Sequence, residues 1–185
     1  MDKGIERIGG RIGASRGPAR IRKSFYRLAN GCRHPINELT LLDLGDVVPQ
    51  MDLETSHEQL GDIITFWIKK GILPIVLGGS HDLSFGSVSG LVQAIPGQEK
   101  IGLINIDSHL DIDVCARAYT PGASASQADG LTASEILQIS FLAGKEKKVK
   151  LLDVCEVSPP LDIANMTVSL AARIIYCFLQ GLTLR

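Results

Sequence analysis

Short apolar runs alternate with longer amphipathic segments along most of this chain. The apolar runs predict strands at residues 39–44, 73–77, 101–106 and 149–154. Apolar residues at helical spacing predict helices over residues 18–28, 55–71, 85–95 and 132–142, with a long final helix after Asp162. Strands that alternate with helices in this way are typical of a parallel α/β sheet. We therefore predict a single α/β domain over residues 1–185.

Local signals place the ends of several predicted helices. Pro18 suits a first helical position, and Thr55 or Ser56 is a candidate N-cap for the second helix. The sequence from Thr132 to Glu135 forms a capping box, and Asp162 is the candidate cap of the final helix. Residues 115–130 are rich in Ala, Ser, Gly and Pro, which predicts a loop between two elements.

Each of the four predicted strands is followed by polar or ionisable side chains. These side chains are Asp46, His81, Asp107 with His109, and Glu156. Ligands of open parallel sheets bind at the carboxyl ends of the strands, which meet at one edge. The pattern therefore predicts a ligand-binding site at that edge of the sheet.

The run from Asp107 through His109 and Asp111 to Asp113 places one imidazole and three carboxylates on alternating positions. Alternate side chains of a strand point to the same face, so these four groups share one side. Carboxylates this close repel one another unless a cation lies between them. Oxygen ligands mixed with imidazole suit Mn²⁺ or Zn²⁺, so we predict a metal site. The alternative is a solvated acidic strand end.

His81 follows Gly78 and Gly79 at the end of a buried strand. Glycines allow the backbone to turn tightly and to approach a ligand closely, which would leave the imidazole at the sheet edge. The alternative role for His81 is a hydrogen-bonded core histidine. Asp82 could orient this imidazole or cap the next helix, and we favour the cap.

Composition excludes several classes of partner. The net charge is −1 and aromatic residues make up 5% of the chain, which gives no support for a nucleic acid or an anionic membrane as partner. The four cysteines form no CxxC pair, and Cys155 and Cys177 lie in apolar runs that predict buried thiols. With no signal peptide or membrane-spanning run recognised, we expect a cytoplasmic protein.

Two of these motifs resemble known signatures. Gly78-Gly79-Ser80-His81-Asp82 and Asp107-Ser108-His109-Leu110-Asp111 resemble the first two signatures of the ureohydrolase family, which contains arginase, agmatinase and formimidoylglutamase. Residues 3–22 are similar to the Gly-Arg-x-Gly-Ala-x-x-Gly-Pro opening of that family and lean toward its formimidoylglutamase branch. The chain also resembles the third signature and the closing strand of the family, at residues 113–122, 129–132 and 153–159.

This resemblance implies a three-layer α/β/α fold with a mainly parallel sheet, incomplete in this chain. It also implies two Mn²⁺ ions per subunit, a small-molecule substrate and possible assembly into a homo-oligomer. The metal ligands would be His81, Asp107, His109, Asp111 and Asp113. Asp111 would also be catalytic, and Glu156 would bind the cationic guanidinium or formimidoyl group of the substrate.

The chain departs from the family pattern between the second and third signatures. Family members place these signatures on different strands. In this chain the same residues, Asp111 to Asp113, match both the end of the second signature and the start of the third. An extended strand from Asp107 to Asp113 spans about 20 Å, while a two-metal pair is only about 4 Å wide. At most Asp107, His109 and Asp111 can therefore join His81. We expect a chain shortened at this point and at its N-terminus, either an active formimidoylglutamase-type enzyme, an inactive family member, or an arginase or agmatinase.

Overall fold

The structure, a computed structural model, describes residues 1–31, 35–95, 97 and 114–185. The α-helices of this part are α1 (Lys3–Arg7), α2 (Gly17–Gly31), α3 (Leu53–Lys69), α4 (Leu83–Ala94), α5 (Ala133–Lys145) and α6 (Met166–Leu182). Its strands are β1 (Ile75–Leu77) and β2 (Leu152–Val154), and 3-10 turns occupy Ala14–Arg16, Pro35–Glu38 and Pro159–Leu161. The five predicted helices are confirmed, whereas α1 was not predicted from the sequence.

The two strands form a parallel pair. Ile75 lies opposite Leu152, and Leu77 lies opposite Val154. The predicted strands at 73–77 and 149–154 are therefore confirmed, each with three residues in the ladder. The predicted strand at 101–106 lies outside the described residues. Because β1 and β2 run side by side, the residues that follow them come out at the same edge.

The predicted strand at residues 39–44 is wrong, because this segment pairs with no described strand. Leu39 packs against the core, but the three later leucines are exposed, Leu42 by 65%. Asp43 accepts hydrogen bonds from the Tyr26 hydroxyl and the Gly45 N–H, and both hold the pKa of Asp43 below its usual value. Polar contacts to α2 therefore hold the segment on the surface. An apolar pattern was not enough to predict a strand here, because a strand also needs a neighbouring strand to pair with.

The core is centred on α6, which packs against α2 and α5. Most of α6 is buried, and Phe178 is fully enclosed. The Ser140 hydroxyl of α5 donates to the Ile174 carbonyl of α6 over 2.7 Å, which satisfies a polar group inside this interface. α3 and α4 form a second helix pair, and the Thr65 hydroxyl donates to the Gly90 carbonyl between them. None of the described helices is long and apolar enough to cross a membrane.

The predicted caps are confirmed in two helices out of four. Asp162 accepts hydrogen bonds from the N–H groups of Thr167 and Val168 at the start of α6, at 3.0 and 3.1 Å. The capping box of α5 is present as predicted. In α3, however, Asp52 is the N-cap and accepts from the Thr55 N–H at 2.7 Å, so the prediction of Thr55 or Ser56 is wrong. The helix begins before those two residues, and their side chains are already inside it.

Thr132→Ala is expected to lower the free energy of unfolding by about 1 kcal/mol, because it removes an N-cap. Two groups of Thr132, its N–H first and then its hydroxyl, lower the pKa of Glu135 in the folded state. The stabilisation from Glu135 is therefore present above its unfolded pKa and is lost as pH falls through the folded value. Urea unfolding of both proteins should show a difference that shrinks in acid, and Ser134→Ala should leave that pH dependence unchanged.

The predicted loop at residues 115–130 is confirmed, and it is tied down at both ends. Isolated bridges link Cys115 to Leu131 and Ala123 to Val157. The cysteine predictions are confirmed for Cys155, which is buried, and only partly for Cys177, which is half-buried with a thiol pKa raised by that burial. The bridge from Ala123 brings this loop against the end of β2.

Candidate functional site

The backbone after β1 makes a close turn that presents His81. The Gly78 N–H donates to the Val154 carbonyl at 2.9 Å, which extends the pairing of the two strands by one bond. A Cβ at Gly78 would overlap the Cys155 sulfur, and one at Gly79 would overlap the Met1 backbone. Only glycine fits at these two positions, as the sequence predicts. The close neighbours, however, are other residues of the chain and not a ligand.

Glu156 lies at the matching position after β2 and contacts this turn directly. Its N–H donates to the Gly79 carbonyl at 2.8 Å, and its side-chain Oε1 accepts the backbone N–H of His81 at 2.6 Å. The side chain is largely enclosed, since Glu156 is 7% exposed. The structure therefore brings together two of the predicted site residues, His81 and Glu156, at the carboxyl edge of the strand pair.

Arg11 supports the backbone beside Glu156. Its guanidinium donates to the Ser124 carbonyl at 3.1 Å and to the Ala123 carbonyl at 2.9 Å. The Ser124 N–H in turn donates to the Glu156 carbonyl at 3.3 Å. Sequence analysis assigned no role to Arg11, although the Gly-Gly-Arg motif around it was a visible signal.

Asp82 does not cap α4, so that part of the sequence prediction is wrong. It precedes the helix in a helical conformation and makes no side-chain cap hydrogen bond. Its carboxylate instead lies 2.7 Å from His57 Nε2 of α3 and accepts the Ser80 hydroxyl. The His57 and Asp82 side chains are only 11% and 19% exposed. His57 was missed by the sequence analysis, because a single histidine on an amphipathic helix carries no motif.

A cavity of about 200 Å³ lies between α1 and this turn. Its lining residues are Gly4, Ile5, Ile8, Ser80, His81, Asp82 and Glu156. The polar part of the wall comes from the strand ends and the apolar part from α1. An imidazole and two carboxylates around a small, half-open cavity can hold a cationic group, because partial burial strengthens the attraction between opposite charges.

The described residues do not form a complete metal centre by themselves. Among them, no three His, Cys, Asp or Glu side chains are close enough to hold a metal ion. The remaining predicted ligands, Asp107, His109, Asp111 and Asp113, lie outside the described residues. Asp46 is not at the sheet edge, since it forms a surface ion pair with Arg22 at 2.8 Å. The predicted ligand set stays a prediction, with an imidazole and carboxylate chemistry that suits Mn²⁺.

The family model described as "Arginase family" matches residues 4–112 and 110–180. The chain belongs to the arginase family. It is 41% identical over 118 residues to a formimidoylglutamase of Salmonella paratyphi A and 40% identical over the same length to that of Salmonella typhi. Each match covers 63% of this chain and 36% of the relative, so the chain spans about a third of the length of these curated relatives.

Solved structures show the same fold. A crystal structure of Trypanosoma cruzi formiminoglutamase with Mn²⁺ superposes with a TM-score of 0.86 at 23% identity, covering 98% of this chain and 89% of that one. An arginase from Bacillus subtilis superposes with a TM-score of 0.74 at 16% identity, covering 91% and 92%. The predicted arginase-like α/β fold is thereby confirmed, and the parallel pair β1–β2 is the described part of its sheet.

The two segments matched by the family model overlap at residues 110–112. Leu110, Asp111 and Ile112 therefore serve as the end of one segment and the start of the next. This is the place where the sequence analysis found the second family signature running directly into the third.

Proposed function

We propose that this chain is a manganese-dependent hydrolase of linear amidine C–N bonds with formimidoylglutamase specificity. The reaction converts N-formimidoyl-L-glutamate and water into L-glutamate and formamide. The observation that carries the proposal is the 41% identity over 118 residues with a formimidoylglutamase. The contact between His81 and Glu156 supports it, because a metal ligand and a cation-binding carboxylate would have to lie together.

Each site residue has a role in this proposal. His81, Asp107, His109 and Asp111 would hold Mn²⁺, with Asp113 as a further candidate ligand from the sequence. Bound manganese supplies an activated water at neutral pH. Glu156 would bind the cationic formimidoyl group, and the Asp111 carboxylate would help to carry a proton to the leaving amine.

We also propose that the chain is one domain shortened internally at residues 110–112. The support is the overlap of the two segments that the family model matches, because Asp111 lies in both and one residue cannot belong to two different strands. A shortened chain favours a second candidate function, an inactive family member that binds metal weakly and does not turn over. The genomic sequence around the codons for Leu110 to Ile112 tests this directly, and an uninterrupted coding region without a missing segment would contradict a splicing origin.

A manganese titration combined with an activity assay tests the proposed function. We expect binding of about two Mn²⁺ per chain, turnover of N-formimidoyl-L-glutamate, and loss of that turnover in His109→Ala. A panel with arginine and agmatine decides between formimidoylglutamase and the two other specificities. Binding of less than one Mn²⁺, with no turnover at high protein concentration, would instead establish the inactive member. Size-exclusion chromatography of the same sample tests whether the chain forms a homo-oligomer, and its cytoplasmic location stays an expectation.

A further inference from the structure

Glu156 is bonded to the backbone of the residue that we assign as a metal ligand. We propose that the Glu156 carboxylate is a positioning residue that fixes the turn at His81, in addition to its assigned contact with the substrate. This inference rests on the proposed function, in which His81 binds Mn²⁺. The observation behind it is the 2.6 Å hydrogen bond from the His81 N–H to Glu156 Oε1.

The bond has the properties of a strong structural contact. A carboxylate that accepts an N–H group makes a charge-assisted hydrogen bond, which is about twice as strong as a neutral one. Glu156 is buried, and a buried carboxylate requires hydrogen-bond donors to offset the water that it loses.

The backbone of Glu156 is itself held in place, so its side chain is aimed at the turn. Its φ of 58° lies in the left-handed region, which is unfavourable for a residue other than glycine. Such a conformation persists only where the surroundings impose it. The bonds to Gly79 and Ser124, with Arg11 behind Ser124, provide those surroundings.

The consequence is a rigid link between the ends of β1 and β2. Glu156 bonds to this turn twice, through its backbone N–H to Gly79 and through its side chain to His81. Without the carboxylate, the His81 backbone loses a fixed partner, and the turn that carries its imidazole becomes less restrained. Partners of this kind typically change metal affinity by about 10- to 100-fold.

Two substitutions separate the positioning role from the substrate-binding role. Glu156→Gln keeps a side-chain oxygen that can accept the His81 N–H but removes the charge that a cationic substrate needs. Glu156→Ala removes both. Glu38→Gln is the control for loss of one negative charge, since Glu38 lies in the exposed turn Pro35–Glu38.

The measurements are Mn²⁺ affinity by electron paramagnetic resonance titration, and amide hydrogen exchange at His81 in the metal-free full chain. We expect Glu156→Ala to weaken Mn²⁺ binding about tenfold or more and to speed exchange of the His81 amide. Glu38→Gln should keep both values close to wild type. Glu156→Gln should give values between those of wild type and Glu156→Ala, because its neutral amide oxygen still accepts the His81 N–H but in a weaker hydrogen bond. The Gln variant should still raise KM for N-formimidoyl-L-glutamate, because the charge is gone.

Equal Mn²⁺ affinity and equal His81 exchange in wild type and Glu156→Ala would overturn the inference. If the wild-type chain binds no Mn²⁺, the proposed function fails, and the exchange of the His81 amide still decides whether Glu156 fixes the turn. If Glu156→Ala does not fold, Glu156→Asp replaces it, because the shorter side chain keeps the charge but withdraws the oxygen from His81. Slow exchange of the His81 amide in that variant would then contradict the positioning role.

Discussion

His57→Ala is expected to lower the free energy of unfolding by about 1–3 kcal/mol, the cost of leaving a largely enclosed carboxylate without one of its hydrogen-bond donors. The reason is that His57 Nε2 lies 2.7 Å from the Asp82 carboxylate, in a place where both side chains are largely enclosed. Removing the imidazole leaves Asp82 half-buried with the Ser80 hydroxyl as a remaining donor. The carboxylate oxygen that faced His57 then lacks a protein donor, which adds to the cost of the lost packing.

The matched variant is His57→Gln, whose side-chain amide can donate from a position similar to that of Nε2. We expect Gln to restore a large part of the lost stability, and urea unfolding with the denaturant slope held constant is the measurement. Mn²⁺ affinity should fall in His57→Ala, because Asp82 directly follows His81 in the turn. A His57→Ala protein as stable as wild type would show that the pair contributes nothing.

Much of the strand-end geometry could be predicted from the sequence. The apolar runs before His81 and Glu156 predict two buried strands, and parallel pairing of such strands brings their following residues to one edge. The capping box at Thr132 could also be predicted, because all its atoms come from four consecutive residues. Local hydrogen bonds and a repeating apolar pattern are enough to determine features of this kind.

Contacts that depend on how helices pack could not be predicted in the same way. His57 contacts Asp82 only because α3 packs against α4, and no local sequence pattern in either segment predicts this packing. The failed strand at 39–44 has a related cause. Its pattern shows that the segment can form a strand, but a strand also needs a partner, and here Arg22 and Tyr26 bind the only acidic residue of the segment, Asp43. The metal ligands from Asp107 to Asp113 stay predictions of the sequence alone.

Gly181→Ala is expected to lower the free energy of unfolding by about 1–3 kcal/mol, the usual cost of overpacking a core. The opposite sign would follow from helix propensity, since alanine is favoured over glycine inside a helix by about 1 kcal/mol. A Cβ at Gly181, however, would overlap the Phe141 carbonyl oxygen, and one at Gly144 would overlap that of Phe178. The backbones of α5 and α6 are therefore in direct contact, and neither carbonyl can rotate away like a flexible side chain.

Gly61→Ala is the matched control, because Gly61 is also inside a helix but its Cβ would lie 3.4 Å from the nearest atom, an ordinary contact. We expect Gly61→Ala to be neutral or stabilising, so that the two glycines respond with different signs to the same substitution. Thermal unfolding of both variants measures this difference. A stabilised Gly181→Ala would mean that α5 and α6 can separate without loss, which would contradict a core built on their close approach.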